Sequence, residues 1–407
     1  MIPVHARHGN PELELMLCCA RTVLADDVAA RRDALLKHEL DWARFRHLVS
    51  VHRVTPLIQR NLSGAPPGLV PPDVARQLRD DYAEIVRNNL FLAAGLLRIL
   101  GLFAASGIEA IPYKGPVLAE SLYGSLLLRQ FGDLDVLVRR REIHRAKELL
   151  LRNGFRVEWP EQPLTPAQEQ AHIEGKYNYK MVRGDGKLPL ELHWGVSPKY
   201  VSFPPDPYWL WRNLTDLRIA GHPVCSFTWE RWLLVLCVHG ANHCWNRLGW
   251  LCDVAELLRR FPDLDWKRVD QRARQFGIRR ILDLGLLLAH DLLDAPVPAD
   301  LHARAIGDQT ARSLADEVVH RCANTRRYVP AVMEVPRFHL RARERLRDRR
   351  LYCRAAVEPS VHDYGVFSLP GPLSFLYYLL RPFRLFREYS LNPLWCGFKR
   401  RLGKQRV

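Results

Sequence analysis

Residues Tyr113–Val138 read YKGPVLAESLYGSLLLRQFGDLDVLV. Lys114-Gly115 closes a short β-compatible run, PVLAESLYG opens on Pro116, and Asp133 and Asp135 precede the apolar Val136–Val138. Proline suits a first helical position, because its missing N–H would go unpaired there anyway. On a strand, residues two apart share a face and sit roughly 6–7 Å apart. Aspartate is a poor strand former, so two of them ahead of an apolar strand need a cause. Carboxylates this close repel unless something positive stands between them. The bland alternative is a loop or an exposed strand end, which asks for no partner.

Downstream, DLDVLV passes from alternation to a wholly apolar run, as a buried strand does. REIHRAKELLLRNG follows as an amphipathic helix, with Gly154 suited to its C-cap. FRVEW reads as a strand, and KYNYKMV, RGDGK and LPLELHW read as a hairpin. Residues 107–203 thus form a compact unit of strands and helices. Upstream, PELELMLCCARTVL, WARFRHLVSVHRVTPLIQRNL and DDYAEIVRNNLFLAAGLLRILGLFAASG place apolar residues three and four apart, predicting a helical region over 1–106. SGAPPGLVPP is a loop within it. A second helical region spans 204–360, clearest in TWERWLLVLCVHGANHCWNRLGWLCDVAELLRRF and ARQFGIRRILDLGLLLAHDLL. The segment 361–407 is basic and amphipathic.

The chain has 407 residues, nearly half of them hydrophobic, enough for a sizeable core. No internal repeat or low-complexity tract stands out. The N-terminal residues lack the basic-then-apolar pattern of a secretory signal. The longest clean apolar run near the end, Leu373–Leu380, falls far short of the ~20 residues that span a membrane. These features predict a cytoplasmic protein, with the inner membrane face as a peripheral option. The nine cysteines show no disulfide framework and are expected to be buried thiols. The net charge is +16, and residues 337–407 hold 16 Lys/Arg against 5 Asp/Glu. The excess is therefore a property of the tail, and arginine dominates it. No helix-turn-helix, zinc-finger, RRM or KH signature accompanies it.

Three features turn the two aspartates toward chemistry. Lys114-Gly115 before a helix start offers backbone N–H groups to an anion. Arg129 could hold a phosphate oxygen. Glu191 stands on the hydrophobic strand LPLELHW, where a carboxylate needs a cation or an opposite charge. Two carboxylates and a third on a neighbouring strand suit two hard divalent ions, Mg²⁺ or Mn²⁺, which prefer oxygen ligands and substrate phosphates. The missing positive partner would then be Mg²⁺, delivered with a nucleotide.

With those residues quoted, YKGPVLAESLY…RQFGDLDVLV, GFRVE, LELHWGV, LCVHGANHCWNRLGWLCDVAELL and LPGPLSFLYYLLRPFRLF resemble the uncharacterised nucleotidyltransferase family of the DNA polymerase β superfamily. The resemblance implies an α+β fold: a minimal nucleotidyltransferase core, a small mixed sheet with flanking helices, embedded between helical regions. It implies that Asp133 and Asp135 bind metal, that Glu191 is the third carboxylate, and that Gly115 is the glycine of the phosphate-binding turn. The family's serine after that glycine is replaced by Pro116, and Lys114 would stand in as a point charge.

Other residues carry two readings each. His193 shares the face of Glu191 and could position substrate or a metal ligand, or be a hydrogen-bonded core histidine. Asp253 could face the nucleotide or fix helix packing. Cys237, His239, His243, Cys244 and Cys252 could hold zinc, but no C-x₂-C pair is present and packing is the plainer reading. Trp194 could stack on a base or fill the core. The segment 373–407 could touch an anionic membrane or a partner, or cover the domain as a helix broken at Pro382.

The expected function is Mg²⁺-dependent transfer of a nucleoside monophosphate from an NTP to an acceptor hydroxyl, releasing pyrophosphate. A protein, a small molecule, a saccharide and tRNA remain open as acceptor. A non-catalytic nucleotide-binding scaffold in a biosynthetic or membrane-associated assembly is the alternative. A third reading is metal-dependent glycosyl transfer from a nucleotide sugar.

Overall fold

The computed structural model describes residues 10–160, 164–198, 201, 203–204, 206–323, 334–358 and 376–386. The N-terminal region is helical: α1 Pro11–Cys19, α2 Asp26–Leu35, α3 Trp42–His52, α4 Thr55–Ser63 and α5 Pro72–Ala105. α5 buries Leu92, Leu96, Ile99 and Phe103 on one face and packs against α4, α6 and the first strand. By length and composition alone this helix is long and apolar enough to cross a membrane.

The central sheet has five strands, β1 Ala110–Pro112, β2 Leu134–Val138, β3 Phe155–Trp159, β4 Asn178–Arg183 and β5 Pro189–His193, in the order β1-β2-β5-β4-β3. β2 pairs antiparallel with β1 and parallel with β5; β4 pairs antiparallel with β5 and with β3. All five residues of β2 are buried, which accounts for its apolar run. β3 lies at the edge and alternates, with Arg156 and Glu158 exposed. The parallel pairing of β2 and β5 needs a long crossover. It is supplied by α7 Ile143–Arg152, β3, α8 Pro166–Gly175 and β4. The α+β expectation, a small mixed sheet with flanking helices, is met.

Two elements were not foreseen. α8 is set by Thr165, whose hydroxyl accepts from Gln168 N–H while the Gln168 side chain reaches back to Thr165 N–H. A second, two-stranded sheet, β6 Thr215–Ile219 and β7 His222–Ser226, stands where only helix was expected. It packs on β1, where Ser226 Oγ donates to the Pro112 carbonyl at 3.0 Å.

Then follow α9 Trp229–Asn242, α10 Leu248–Arg260, α11 Trp266–Phe276, α12 Arg279–Leu293, α13 Ala299–Gly307 and α14 Gln309–Ala323. α15 Glu334–Ala342, α16 Leu346–Val357 and α17 Leu376–Phe386 complete the described chain. α9 and α10 are separated by a break at Cys244 and Trp245, both with positive φ. α17 packs on α16 and is not ended by Pro382. The rest of the segment read as a membrane or partner contact, 373–375 and 387–407, lies outside the described residues. One hydrophobic core runs from Leu13 in α1 through the sheet to Ala342 in α15.

Candidate active site

β2 and β5 run side by side in a register that places Asp135 opposite Glu191 and Leu137 opposite His193. The next strand sets Lys180 opposite Glu191 and Asn178 opposite His193. Asp135, Glu191 and His193 bring their ligating atoms within 4.8 Å of one another. His193 Nε2 lies 3.0 Å from Asp135 Oδ1 and 3.3 Å from Glu191 Oε2. Asn178 Nδ2 donates to Glu191 Oε2 at 2.9 Å, and Lys180 Nζ lies 3.3 Å from Glu191 Oε1. Lys114 Nζ donates to Asp135 Oδ1 at 2.8 Å.

The charges follow from this geometry. Burial alone would push the Asp135 carboxyl up, but the Lys114 ammonium and the His193 ring outweigh it and hold it below the usual range. Burial likewise opposes the charge on Glu191, and the hydrogen bond from His193 with the Lys114 and Lys180 charges holds it low. For His193 burial favours loss of the proton, while Asp135 and Glu191 keep it on and raise the pKa. The positive partners of Asp135 among the side chains are therefore Lys114 and His193.

Asp133 stands apart from that group. It lies just before β2, is exposed, and has no hydrogen-bond or ion-pair partner among the described residues. Desolvation by its surroundings and then the Asp135 charge raise its pKa. Gly115, at φ 45°, begins α6 Gly115–Tyr123; an added Cβ would meet the Asp133 carbonyl oxygen at 3.5 Å, an ordinary contact, so it is the left-handed backbone that favours glycine. Lys114 before it has φ 62° and ψ −156°, a conformation that is almost confined to glycine and costs on the order of 1–3 kcal/mol elsewhere. The strained turn puts the Lys114 side chain onto Asp135.

Arg129 and Asp253, read separately as a phosphate contact and a nucleotide contact, are partners. Arg129 Nε and Nη2 donate to Asp253 Oδ1 and Oδ2 at 2.7 and 2.8 Å, and Tyr123 O–H donates to Oδ1 at 2.7 Å. Asp253 on α10 is 1 % exposed. The Arg129 carbonyl in turn accepts from Asn89 Nδ2 of α5, at 2.7 Å. This network fixes the loop that leads to Asp133.

These residues line a cavity of about 840 Å³, within the size range of small-ligand sites. Its floor carries Lys114, Asp133, Asp135, Glu191 and His193; its walls carry Arg53, His239, His243, Arg247 and Trp250. His243 packs on Trp250 with ring centroids 4.8 Å apart, and His239 packs on both. Burial and then the Lys114 charge keep both imidazoles neutral, His243 with a pKa lowered to about 4. The cysteines of the zinc reading do not join these histidines in a metal-ligating group among the described residues, whereas His290, Asp291 and His302 form a separate half-exposed one. Trp194 is buried, and its indole N–H donates to the Ile173 and Lys176 carbonyls at 3.0 Å, so it fills the core.

Sequence reading missed Arg53, Arg247, His243 and Trp250 as wall residues, because each sits in an ordinary helical pattern far along the chain from the floor. Asn178 and Lys180 were within reach, since the predicted hairpin already set their strand beside Glu191.

Neither the curated proteins nor the solved structures include a match to the chain. The family model described as uncharacterised nucleotidyltransferase matches residues 38–294, a span that holds the whole sheet, every floor residue and the four wall residues missed above. That match covers more than half of the sequence, and the chain belongs to this uncharacterised nucleotidyltransferase family.

Proposed function

We propose that the protein transfers a nucleoside monophosphate from an NTP to an acceptor hydroxyl with the help of a divalent cation, releasing pyrophosphate. The observation that carries this reading is the Asp135–Glu191 pair, set opposite one another on parallel strands at the floor of a ligand-sized cavity, with unpartnered Asp133 beside them. Carboxylate oxygens facing one cavity are the donor set that Mg²⁺ or Mn²⁺ takes, and Asp133, Asp135 and Glu191 would hold it. When bound, such an ion neutralises phosphate charge and supports in-line displacement at phosphorus. The residues of the chain supply the rest. Glu191 is held ionised and fixed from three sides by Asn178, Lys180 and His193, which suits a cation ligand better than a proton acceptor. Lys114 would leave Asp135 for a phosphate oxygen as the cation arrives. The His243 and Trp250 rings, tilted 35° to one another, offer aromatic faces to a base or an acceptor.

The scaffold reading has one observation in its favour: Lys114 and His193 already balance the charge of Asp135, which therefore does not need a metal for that purpose. Calorimetric titration of the purified protein with the four NTPs and several nucleotide sugars, with and without Mg²⁺, separates the readings. Mg²⁺-dependent NTP binding that weakens at least tenfold in Asp133→Asn and Asp135→Asn is expected. Binding of a nucleotide sugar alone would replace the proposal with glycosyl transfer. NTP binding indifferent to metal and to both substitutions would leave a scaffold.

A further inference from the structure

The cavity holds two arginines whose nearest carboxylate, Asp133, attracts them without a close ion pair. Arg53 follows α3 in the left-handed conformation, at φ 55°, and Arg247 precedes α10 as its N-cap. Among the described residues neither guanidinium has a hydrogen bond or an ion pair, although the fold pairs most of its other half-buried arginines. Arg247 lies over the Trp250 ring, 5.2 Å from its centroid. Both line the cavity beside Asp133.

Their placement is built rather than incidental. The α3 end and the α10 start are fastened by His52, whose Nδ1 accepts the Leu248 N–H at 3.1 Å while its Nε2 donates to the Cys322 carbonyl at 3.2 Å. Gly249 lets the two backbones meet: a Cβ there would lie 3.1 Å from the His52 carbonyl oxygen and 3.4 Å from that of Arg53. Gly132, next to Asp133, leaves room for the Arg53 head, since a Cβ on it would lie 3.4 Å from Arg53 Nη1. Burial first, and then the Arg53 charge, loosen the hold of Arg247 on its proton, while the Asp133 charge opposes them. Two like charges held together by a braced backbone, half-buried and unpaired, cost energy until an anion relieves them.

We propose that Arg53 and Arg247 form an anion subsite on the cavity wall beside Asp133, which takes a phosphate group of the bound ligand. This subsite does the work that the sequence assigned to Arg129, which Asp253 holds instead. The inference rests on the nucleotidyl-transfer reading only for the source of the phosphate, which is either the leaving diphosphate of the donor or a phosphate on the acceptor. Guanidinium pairs suit such groups because their donors match phosphate oxygens two at a time.

The test is calorimetry on the full chain with inorganic pyrophosphate in EDTA, which removes any dependence on a metal. Pyrophosphate should bind the parent protein and lose roughly tenfold or more in affinity with each of Arg53→Gln and Arg247→Gln. Arg247→Lys should retain part of the affinity. Circular dichroism melts check that each variant folds, and if Arg53→Gln does not, Arg247→Gln decides alone. Titration with Mg-ATP and Mg-AMP then locates the source. If the arginine variants weaken ATP but not AMP, the subsite holds the donor diphosphate. If they weaken pyrophosphate and leave ATP untouched, it holds an acceptor phosphate. Pyrophosphate that fails to bind the parent protein, or binds the double variant equally well, overturns the subsite. Failure of Mg-ATP alone, with pyrophosphate binding intact, would overturn the transfer reading and leave the subsite standing.

Discussion

Asp253 ends three hydrogen bonds, two from the Arg129 guanidinium and one from Tyr123, and is 1 % exposed. Removing one member of such a pair strands the other charge in the interior, which typically costs about 3–5 kcal/mol. Asp253→Ala should therefore lower the denaturant midpoint by about that much stability, while Asp253→Asn, which keeps the shape and one acceptor, should cost less. Equal, small losses in both would mean that the pair contributes little. At this scale the sequence was partly legible. Glu191 and His193 were placed on one face because strand alternation is a strong geometric rule, and Glu191 drew attention as a charge on an apolar strand. The pairing of Arg129 with Asp253 was not legible, since the residues lie on separate elements and each has its own plausible partner in the cavity. Nor was the answer to the repulsion between the aspartates. The structure meets it with Lys114 and His193 on Asp135, and leaves Asp133 without a hydrogen bond or close ion pair among the described residues.

Elements succeed or fail by how local their signals are. β2, β3, β4 and β5 were legible from alternation and the RGDGK turn, where Gly186 takes φ 73° and Asp185 Oδ1 accepts the Lys187 N–H. β6 and β7 were missed because TDLRI and HPVCS are short, only half apolar, and joined by a bare Ala220-Gly221 turn. The break between α9 and α10 depends on a contact that no periodicity reveals. Trp245 turns back so that its N–H donates to the Gly240 carbonyl at 2.8 Å and its indole covers Gly240, where a Cβ would fall 2.3 Å from the ring. Gly285 of α12 is closed in the same way by Cys237 Sγ, at 2.6 Å. Gly240→Ala should destabilise by about 1–3 kcal/mol, the usual cost of overpacking. Gly101→Ala, within α5 and with no atom within 4 Å of the new methyl, should instead stabilise by roughly 0.5–1 kcal/mol through helix propensity. Thermal melts of the two variants should move in opposite directions; a shared direction would contradict the packing described for α9.

At the scale of the whole molecule, acid is the condition to which the fold should be most sensitive. His52, His172 and His339 are buried, and burial lowers each pKa from 6.5 to about 4. Above pH 6.5 these rings are neutral whether the chain is folded or not, so their contribution to stability is full. As the pH falls from 6.5 toward 4, the unfolded chain takes protons that the native state refuses, and stability is lost, up to about 3 kcal/mol per ring. His193 works the other way, since its raised pKa gives stability below 6.5 that fades as the pH climbs through its folded value. These three rings, with His239 and His243 lowered as well, stand against one and should leave a melting temperature that drops between pH 6.5 and 4.5 at constant ionic strength; a level profile would contradict the burial of those rings. The cavity belongs to this scale too. The sheet that forms its floor was legible, and its walls were not, because they come from α3, from the α9–α10 bend and from α17, which contributes Arg381. Floor and walls are thus free to change at different rates. A chain could keep the paired strands, and with them its reaction, while exchanging the outer helices for others. It would then act on a new molecule without having reinvented the chemistry, and a likeness confined to the strands would say nothing of what the exchange had altered.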